Sequence, residues 1–444
     1  MYLFAATVMF SSCACGKSNV DDRNVIVTPG GSQDGDTPSA TGPAELLSMD
    51  PVQREDWLIY QVNPKLYGSS GAFKKIRDRL DDIKALGTQI LYLMPVYDEG
   101  KKDAIGSPYC IKNYTAVNSS YGSLADFKAL VDAAHGKGMK VMFDWVANHT
   151  SWDNVWITEH PDWYEQDSKG NIVYPTKDGE WKDVAQLDYG NKALWTAMEE
   201  ALEYWVKELD IDGYRCDYAH GVRDDFWTEA IARLKELKPG FLMLAESDFK
   251  KMFNDGFDII FDRAMKSNMI NLFSGGKAAD FFSWYKSDQG ETPSGKAKLF
   301  FVTNHDDATE NYPAGQFGSN EGALAAFVLM TSLNGSSMIY GSQETGYGKT
   351  INFFNTMNFD WSAGASLASK YASAMASLLK IDRSGAMKVY GQGTMVFVSW
   401  PNGLVAVNTG SSQAAYSLPS ALAGKNGLPQ TLTLTGHEYK IWNW

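Results

Sequence analysis

The feature of this sequence that most constrains its fold is a regular alternation of short apolar runs with longer amphipathic segments. The short runs have the length and apolar content of buried strands, and the segments Phe73–Leu86, Leu124–Lys137 and Asn191–Leu209 between them have helical spacing. Strands that alternate with helices predict a parallel sheet, and eight of them predict a (β/α)8 TIM barrel of the α/β class. The predicted strands are Leu58–Asn63, Gln89–Met94, Lys140–Val146, Gly213–Asp217, Phe241–Glu246, Asp258–Phe261, Lys298–Thr303 and Ser337–Tyr340.

The N-terminal region differs from the barrel in composition. Residues 1–15 are an apolar run that reaches Ser11-Ser12-Cys13, too short for a membrane span and typical of a secretory signal with Cys13 as the lipidated residue. An uncleaved start of no special function is the alternative. Residues 16–50 are rich in Gly, Pro, Ser, Thr and Asp and predict a flexible tether. We therefore expect a lipid-anchored protein of the cell envelope, with a secreted protein as the alternative.

Two further regions complete the predicted domains. Within the barrel region, residues 51–380, an aromatic and loop-like insertion at about 149–190 follows the third strand. An insertion there lies at the carboxyl ends of the strands, where barrels bind their ligands. From residue 381 to 444, short β-rich segments separated by Gly and Asn predict a C-terminal antiparallel β-sandwich.

Composition excludes some classes of partner and site. The net charge is −13 over 444 residues and no long basic run occurs, which argues against nucleic acid or an anionic membrane surface as the main partner. The four cysteines form no CxxC pair or Cys/His cluster, so a zinc site is not expected.

Four predicted strands end in acidic side chains. The apolar run that begins at Ile211 reaches Arg215 and then Asp217, and period-two alternation places both side chains on one face. A guanidinium beside a carboxylate holds it ionised and oriented, as a nucleophilic carboxylate requires. For this stretch alone, a structural ion pair is the alternative. A barrel gathers its strand ends on one face, so four such ends predict one acidic site. The other members are Asp144, Glu246 and Asp306, with His149 and His305 beside them.

Together these four stretches resemble the four signature regions of the alpha-amylase family of glycoside hydrolases, in the right order. The regions here are Phe143-Asp144-Trp145-Val146-Ala147-Asn148-His149, Gly213-Tyr214-Arg215-Cys216-Asp217, Leu244-Ala245-Glu246-Ser247 and Phe301-Val302-Thr303-Asn304-His305-Asp306. The resemblance implies a retaining hydrolase with Asp217 as nucleophile, Glu246 as general acid/base and Asp306 as the carboxylate that grips sugar hydroxyls. Glu246 follows an apolar run, so we expect partial desolvation to raise its pKa into the range of a general acid.

The resemblance also implies a set of substrate-binding residues. His149 and His305 correspond to histidines that bind sugar hydroxyls, and Asp144 to an aspartate that positions Arg215. Tyr109 corresponds to the aromatic platform under the reacting sugar, and His220 to a leaving-group contact. For each residue taken singly, a packing role is the alternative. With only six histidines in the chain, two beside predicted acids favour function.

The family's usual calcium site lacks one of its ligands in this sequence. Many family members hold calcium with the asparagine of the first region, here Asn148, and with an aspartate that is replaced here by Gln186. Gly221 stands at the position of the usual carbonyl ligand. A hard cation requires several oxygen ligands, so we expect no tight calcium at this site and name no cofactor.

Three functions stay open. The first is hydrolysis of α-1,4 bonds in starch or maltooligosaccharides, and the second is α-1,6 or trehalose-type cleavage or glucosyl transfer. The third is an inactive glucan-binding protein, which the presence of all three acids disfavours. With its tether and anchor, the chain resembles bacterial cell-envelope lipoprotein alpha-amylases, and an α-glucan is the expected partner; the oligomeric state is open.

Overall fold

The computed structural model describes residues 42–51 and 56–444. The predicted signal segment, Cys13 and most of the predicted tether lie outside the described residues. No helix within the described ranges is long and apolar enough to cross a membrane.

In chain order the described strands are β1 Ala44–Met49, β2 Leu58–Val62, β3 Ile90–Leu93, β4 Tyr97–Glu99, β5 Ile111–Val117, β6 Lys140–Val146, β7 His149–Ser151, β8 Val184–Gln186, β9 Gly213–Asp217, β10 Leu242–Ala245, β11 Ile259–Phe261, β12 Ala297–Phe301, β13 Ser336–Tyr340, β14 Met387–Gln392, β15 Met395–Trp400, β16 Gly403–Asn408, β17 Ala414–Ser417, β18 Thr431–Leu434 and β19 Tyr439–Asn443. The α-helices are α1 Ala72–Asp78, α2 Leu80–Ala85, α3 Leu124–Gly136, α4 Trp156–Glu159, α5 Lys192–Leu209, α6 Asp224–Leu237, α7 Arg263–Phe273, α8 Ala278–Gly290, α9 Asp307–Glu310, α10 Pro313–Gln316, α11 Asn320–Ser332 and α12 Ala365–Leu378. Short 3-10 helices span Pro64–Leu66, Pro161–Trp163, Ala219–Gly221, Lys250–Phe253 and Gln343–Thr345.

Eight parallel strands close into a barrel, which confirms the predicted fold class. Going round it from the first strand, the order is β2, β3, β6, β9, β10, β11, β12 and β13, and β13 pairs back to β2. Every predicted barrel strand is present, with its ends within two residues of the prediction. Apolar side chains such as Ile59, Tyr92, Leu244 and Phe301 fill the interior, so the barrel is a packed core whose mouth carries the polar side chains.

Helix α5 shows how the sequence builds the barrel wall that leads to β9. The Asn191 side chain accepts a hydrogen bond from the Ala193 N–H at the helix start, and Asp210 ends the helix in the left-handed conformation with φ 57°. Its apolar face buries Trp205 completely, and the Trp205 indole N–H donates to the Tyr114 carbonyl oxygen at 2.7 Å. Burial of one such side chain contributes roughly 1.5–3 kcal/mol.

The insertion after β6 folds over the barrel mouth. β7 and β8 pair antiparallel, with Thr150 opposite Ala185, and an aromatic contact joins Trp156 to Tyr114 with 5.0 Å between ring centroids. The segment before β8 brings Trp181 to 4.9 Å from the Tyr218 ring and 5.6 Å from the His149 ring. The insertion therefore adds an aromatic wall at the carboxyl ends of the strands.

The C-terminal region is a two-layer antiparallel arrangement. The sheet β1-β14-β15-β16-β19 packs with one face on α8, α11 and α12, and its other face is covered by the hairpin β17–β18. Residues 44–49 form β1 and pair with β14, so this part of the predicted tether, 16–50, is wrong. Leu47 is buried, and the partner strand of β1 lies more than 300 residues away in the sequence, so the local composition did not reveal this pairing.

Candidate active site

The acidic side chains come together at the carboxyl ends of β6, β9 and β10, which are neighbours in the barrel, and of β12, which lies one strand further on. Asp144 lies in β6 directly opposite Arg215 in β9, Asp217 ends β9, and Glu246 follows β10. Asp306 lies in the segment after β12. The alternation that the sequence predicts for Arg215 and Asp217 is present, because both side chains enter the same polar cluster.

The Arg215 guanidinium connects three carboxylates. Its Nη1 lies 2.5 Å from Oδ1 of Asp144 and 3.0 Å from Oδ1 of Asp217, and its Nη2 lies 3.1 Å from Oε2 of Glu246. The arginine side chain is 0% exposed. A buried arginine with charged partners on both terminal nitrogens is fixed in place, and it fixes Asp217 and Glu246 side by side.

Glu246 is held in its ionised form. Oε2 accepts from the Tyr218 N–H at 2.9 Å and Oε1 accepts from Nη2 of Arg263 at 2.9 Å. Burial alone would raise the pKa of Glu246, but Arg215, Arg263 and the Tyr218 N–H outweigh it and lower the pKa to about 2. The predicted rise is therefore wrong for the substrate-free site, because the apolar run before Glu246 gave no sign of Arg263.

The pKa values of Asp217 and Asp306 shift the opposite way. Burial, and then the neighbouring charge of Glu246, raises the pKa of Asp217 well above its ordinary value, although Arg215 opposes this. Burial and Glu246 likewise raise the pKa of Asp306 to about 7. The prediction that Arg215 keeps Asp217 ionised is wrong here, because burial and the Glu246 charge outweigh the guanidinium.

Tyr109 and His305 form a second polar pair over the site. Tyr109 Oη lies 3.0 Å from Oδ2 of Asp144 and 2.8 Å from Nε2 of His305, and the two rings stack at 5.6 Å. Gln61 Nε2 lies 2.9 Å from Nδ1 of His305, so a neutral ring that accepts there carries its proton on Nε2. Burial, and then Arg215, keeps the pKa of His305 well below its ordinary value, so the ring is neutral.

A small cavity opens directly above Asp217 and Asp306. His149 lies in its wall, and burial lowers the pKa of this histidine to about 4, which leaves a neutral imidazole. Phe353 closes one end, 4.9 Å from the His305 ring and 5.9 Å from the Tyr109 ring. The remaining lining residues are Ser107, Trp181, Asp183, Val184 and Phe354. A polar floor under an aromatic rim is the composition that suits a sugar ring.

Comparison with known proteins decides the family. Residues 33–369, more than half of the chain, match the family model described as alpha amylase, catalytic domain. The chain belongs to the alpha-amylase family. It is 28% identical over 338 residues to Alpha-amylase MalA of Haloarcula japonica, covering 72% of this chain and 49% of that protein. It is also 28% identical over 318 residues to the alpha-1,4-glucan:maltose-1-phosphate maltosyltransferase of Rhodospirillum rubrum, covering 66% and 43%.

A solved alpha-amylase structure has the same fold as this chain. A crystal structure of an alpha-amylase from Lactobacillus plantarum superposes with a TM-score of 0.74 at 28% identity, covering 87% of this chain and 98% of that chain. The chain spans about half the length of the first curated relatives that it matches.

His220, like Asp144, Arg215, Glu246 and His305, is not among the residues that line this cavity. Its Nε2 lies 3.6 Å from Oδ2 of Asp178, and its ring lies 4.4 Å from that of Tyr218 and 5.1 Å from that of Phe249. Burial lowers its pKa, against the Glu246 charge. His220 therefore lies near the Glu246 side of the site, where the leaving group is expected.

The residues at the family's usual calcium position do not fit a cation. Gln186 Nε2 donates to the Asn148 carbonyl oxygen at 2.9 Å, to Oδ1 of Asn148 at 3.2 Å and to the Leu187 carbonyl oxygen at 3.1 Å. A carboxamide nitrogen thus points at the oxygens that a hard cation would need. Elsewhere in the described ranges, no group of three or more His, Cys, Asp or Glu side chains is arranged to hold a metal ion.

Several residues of the site escaped the sequence analysis. Tyr92 donates to Oδ2 of Asp144 at 2.8 Å, and Arg263 and Asp248 flank Glu246. Arg263 follows the end of β11 by two residues, so the strand-end rule that found Glu246 also reaches it. No such signal marks Phe353, whose loop is tied to α9 by a long-range hydrogen bond from the Ile351 N–H to the Ala308 carbonyl oxygen at 2.6 Å.

Proposed function

We propose that the protein is a retaining glycoside hydrolase that cleaves α-1,4-glucosidic bonds of starch or maltooligosaccharides. The observation that carries this proposal is the single Arg215 guanidinium that reaches both Asp217 at 3.0 Å and Glu246 at 3.1 Å. Retaining enzymes hold their two carboxyl groups about 5–5.5 Å apart, and inverting enzymes about 6.5–9.5 Å. Two carboxylates bridged by one guanidinium favour the shorter separation.

In the first step an Asp217 carboxylate oxygen attacks the anomeric carbon. The bond from that carbon to the glycosidic oxygen breaks, and Glu246 gives its proton to the departing oxygen. In the second step Glu246 takes a proton from water, whose oxygen displaces Asp217 from the sugar. This transfer leaves Glu246 protonated and Asp217 ionised again, and the product keeps the α configuration.

The residues around the cavity bind and distort the sugar. Asp306, at the cavity wall, accepts hydrogen bonds from sugar hydroxyls and stabilises the oxocarbenium-like transition state. The neutral rings of His149 and His305 donate and accept hydrogen bonds, as hydroxyl groups require. Tyr109 lines the same cavity and lies as a platform under the ring.

Product analysis tests this function on soluble starch, pullulan, maltoheptaose and isomaltose, with Asp217→Asn as the blank. We expect maltooligosaccharides of mixed length from starch and no reaction with isomaltose. Glucose from isomaltose, panose from pullulan or longer transfer products would favour the second function, which the relative named as a maltosyltransferase supports. No product above the blank would favour a glucan-binding protein.

We also propose that the enzyme is held at the cell envelope by a lipid on Cys13. The apolar run followed by Ser11-Ser12-Cys13 and the polar segment after it support this location. Incorporation of labelled palmitate into the expressed chain tests it, and we expect Cys13→Ala to abolish the label. A fully soluble, unlabelled product from the intact gene would contradict it.

A further inference from the structure

Only one of the two carboxylate oxygens of Glu246, Oε1, is available for proton transfer to a substrate, and Arg263 already binds it. Oε2 is already bound by the Tyr218 N–H at 2.9 Å and lies 3.1 Å from Arg215. Both partners belong to β9 or the residue that follows it, and they are buried. Only Oε1 is left to face a glycosidic oxygen, and Oε1 accepts from Nη2 of Arg263 at 2.9 Å.

Arg263 is attached at two points to Asp248. Its Nη1 donates to Oδ2 of Asp248 at 2.8 Å, and its backbone N–H donates to Oδ1 at 2.9 Å. The side chains of Arg263 and Asp248 are 37% and 33% exposed, whereas Glu246 is 3% exposed. The guanidinium therefore lies between the buried acid and the solvent.

We propose that Arg263 is a positioning residue that keeps Glu246 ionised in the free enzyme and is displaced towards Asp248 when the leaving-group sugar binds. This inference rests on the proposed function. A sugar hydroxyl or glycosidic oxygen at Oε1 replaces the charged donor, and Asp248 retains the guanidinium. Loss of one positive charge beside Glu246 raises the proton affinity of its carboxylate, and the proton held by the Asp217 and Asp306 side of the site moves to Glu246. Binding thus produces the charge state that cleavage needs.

The other charged and titratable groups that face Glu246 come from the neighbouring strands and the segments after them. They are Arg215 and Asp217 on β9, His220 in the 3-10 helix after it, Tyr92 on β3, and His305 and Asp306 after β12. Their side chains are at most 25% exposed, against 37% for Arg263, so Arg263 is the most exposed member of the set.

The test is the pH dependence of kcat/KM on maltoheptaose for Arg263→Gln. Because Glu246 has the lower pKa of the two carboxyl groups in the free enzyme, the acidic limb of this profile reports its titration. Removing a positive charge at hydrogen-bond distance is expected to move the limb up by about 1–3 pH units. Arg263→Lys keeps the charge and is expected to keep the limb close to that of the wild type. An unchanged limb in Arg263→Gln would overturn the inference.

The chain offers a matched control in Arg233→Gln. Arg233 is 41% exposed and also bridges a glutamate that is 3% exposed, Glu199, and a second carboxylate, Glu203. It lies on α6, outside the barrel mouth, so its loss is expected to leave the limb in place. Asp248→Asn is expected to move the limb down, because Arg263 then has one carboxylate instead of two and binds Glu246 more tightly. The amide oxygen still accepts the Arg263 N–H.

Stability supplies a readout that does not need turnover. The folded-state pKa of Glu246 is lowered from 4.5 to about 2, so its ion pairs stabilise the fold above pH 4.5 and this contribution is lost as pH falls towards 2. We expect the Tm difference between wild type and Arg263→Gln to shrink over that range. A difference independent of pH would contradict the ion pair even if starch is not the substrate, whereas absence of product alone contradicts only the proposed function.

Discussion

Oδ1 of Asp144 lies 2.5 Å from Nη1 of Arg215, and neither side chain is exposed to solvent. Tyr92 and Tyr109 donate to the other carboxylate oxygen at 2.8 and 3.0 Å, so every oxygen of Asp144 has a partner. The Asp144–Arg215 pair therefore fixes the guanidinium that positions Asp217 and Glu246.

Removing Asp144 should destabilise the protein strongly. In Asp144→Ala, Arg215 loses its closest partner inside the barrel, and breaking a buried pair in this way costs about 3–5 kcal/mol. Urea unfolding measures the change in the free energy of unfolding. The control is Asp132→Ala, which breaks an exposed pair with Lys128 that is expected to contribute only about 0–1 kcal/mol. Equal losses in the two variants would contradict the structural role of Asp144.

Gln186 should make the wild-type protein indifferent to calcium. Its carboxamide donates to Asn148 and Leu187 oxygens, so a chelator is expected to leave the Tm unchanged. Gln186→Asp exchanges that donor for a carboxylate among the same oxygens and is expected to make the Tm rise with added Ca²⁺. Gln166→Asp, at an exposed position of the same insertion, is the control. A calcium-dependent Tm in the wild type would show that the amide does not replace the ion.

The raised pKa of Asp306 predicts that replacing this residue increases thermal stability by an amount that depends on pH. Its folded-state pKa is about 7 against an ordinary 3.8, so the stabilisation from its bound proton is complete below pH 3.8 and is lost as pH rises to 7. Asp306→Asn has no such titration, so its Tm relative to the wild type should increase between pH 4 and pH 7. Asp132→Asn, in an exposed pair, should show no such trend. A constant difference for Asp306→Asn would argue against the shift.

Glu246→Gln should separate the proton-transfer step from the nucleophilic step. Starch and maltooligosaccharides need a proton on the departing oxygen, and general acid catalysis is worth about 100–10,000-fold, so kcat on them should fall by that order. A maltoside with a fluoride or nitrophenolate leaving group needs little protonation, and its first step should be far less affected. Rate constants for both substrates decide the matter, and equal losses would refute the acid role.

The sequence predicted the barrel well because its signals are local. Each barrel strand is a short apolar run, and the acids that matter follow directly at the strand ends, as with Asp217 and Glu246. Since a parallel barrel brings all its strand ends to one face, local patterns were enough to assemble the central cluster.

The charge states of the carboxyl groups in the site could not be predicted from local sequence patterns. Arg215 stands next to Asp217 in the sequence, but only the folded barrel shows that it is shared with Asp144 and Glu246. Arg263 reaches Glu246 from the start of α7, and β1 finds its partner β14 across the whole barrel. Such contacts depend on tertiary distances that no local pattern encodes, and they reversed the expected pKa shifts.

The central claim, that Asp217 attacks the sugar while Glu246 protonates the leaving group, is tested most directly by the configuration of the first product. Proton NMR of the wild-type reaction with maltoheptaose resolves α and β anomers before they equilibrate. The account predicts that the α anomer appears first, because two displacements retain the configuration. A β anomer as the first product would mean a single displacement by water and would contradict the covalent role of Asp217.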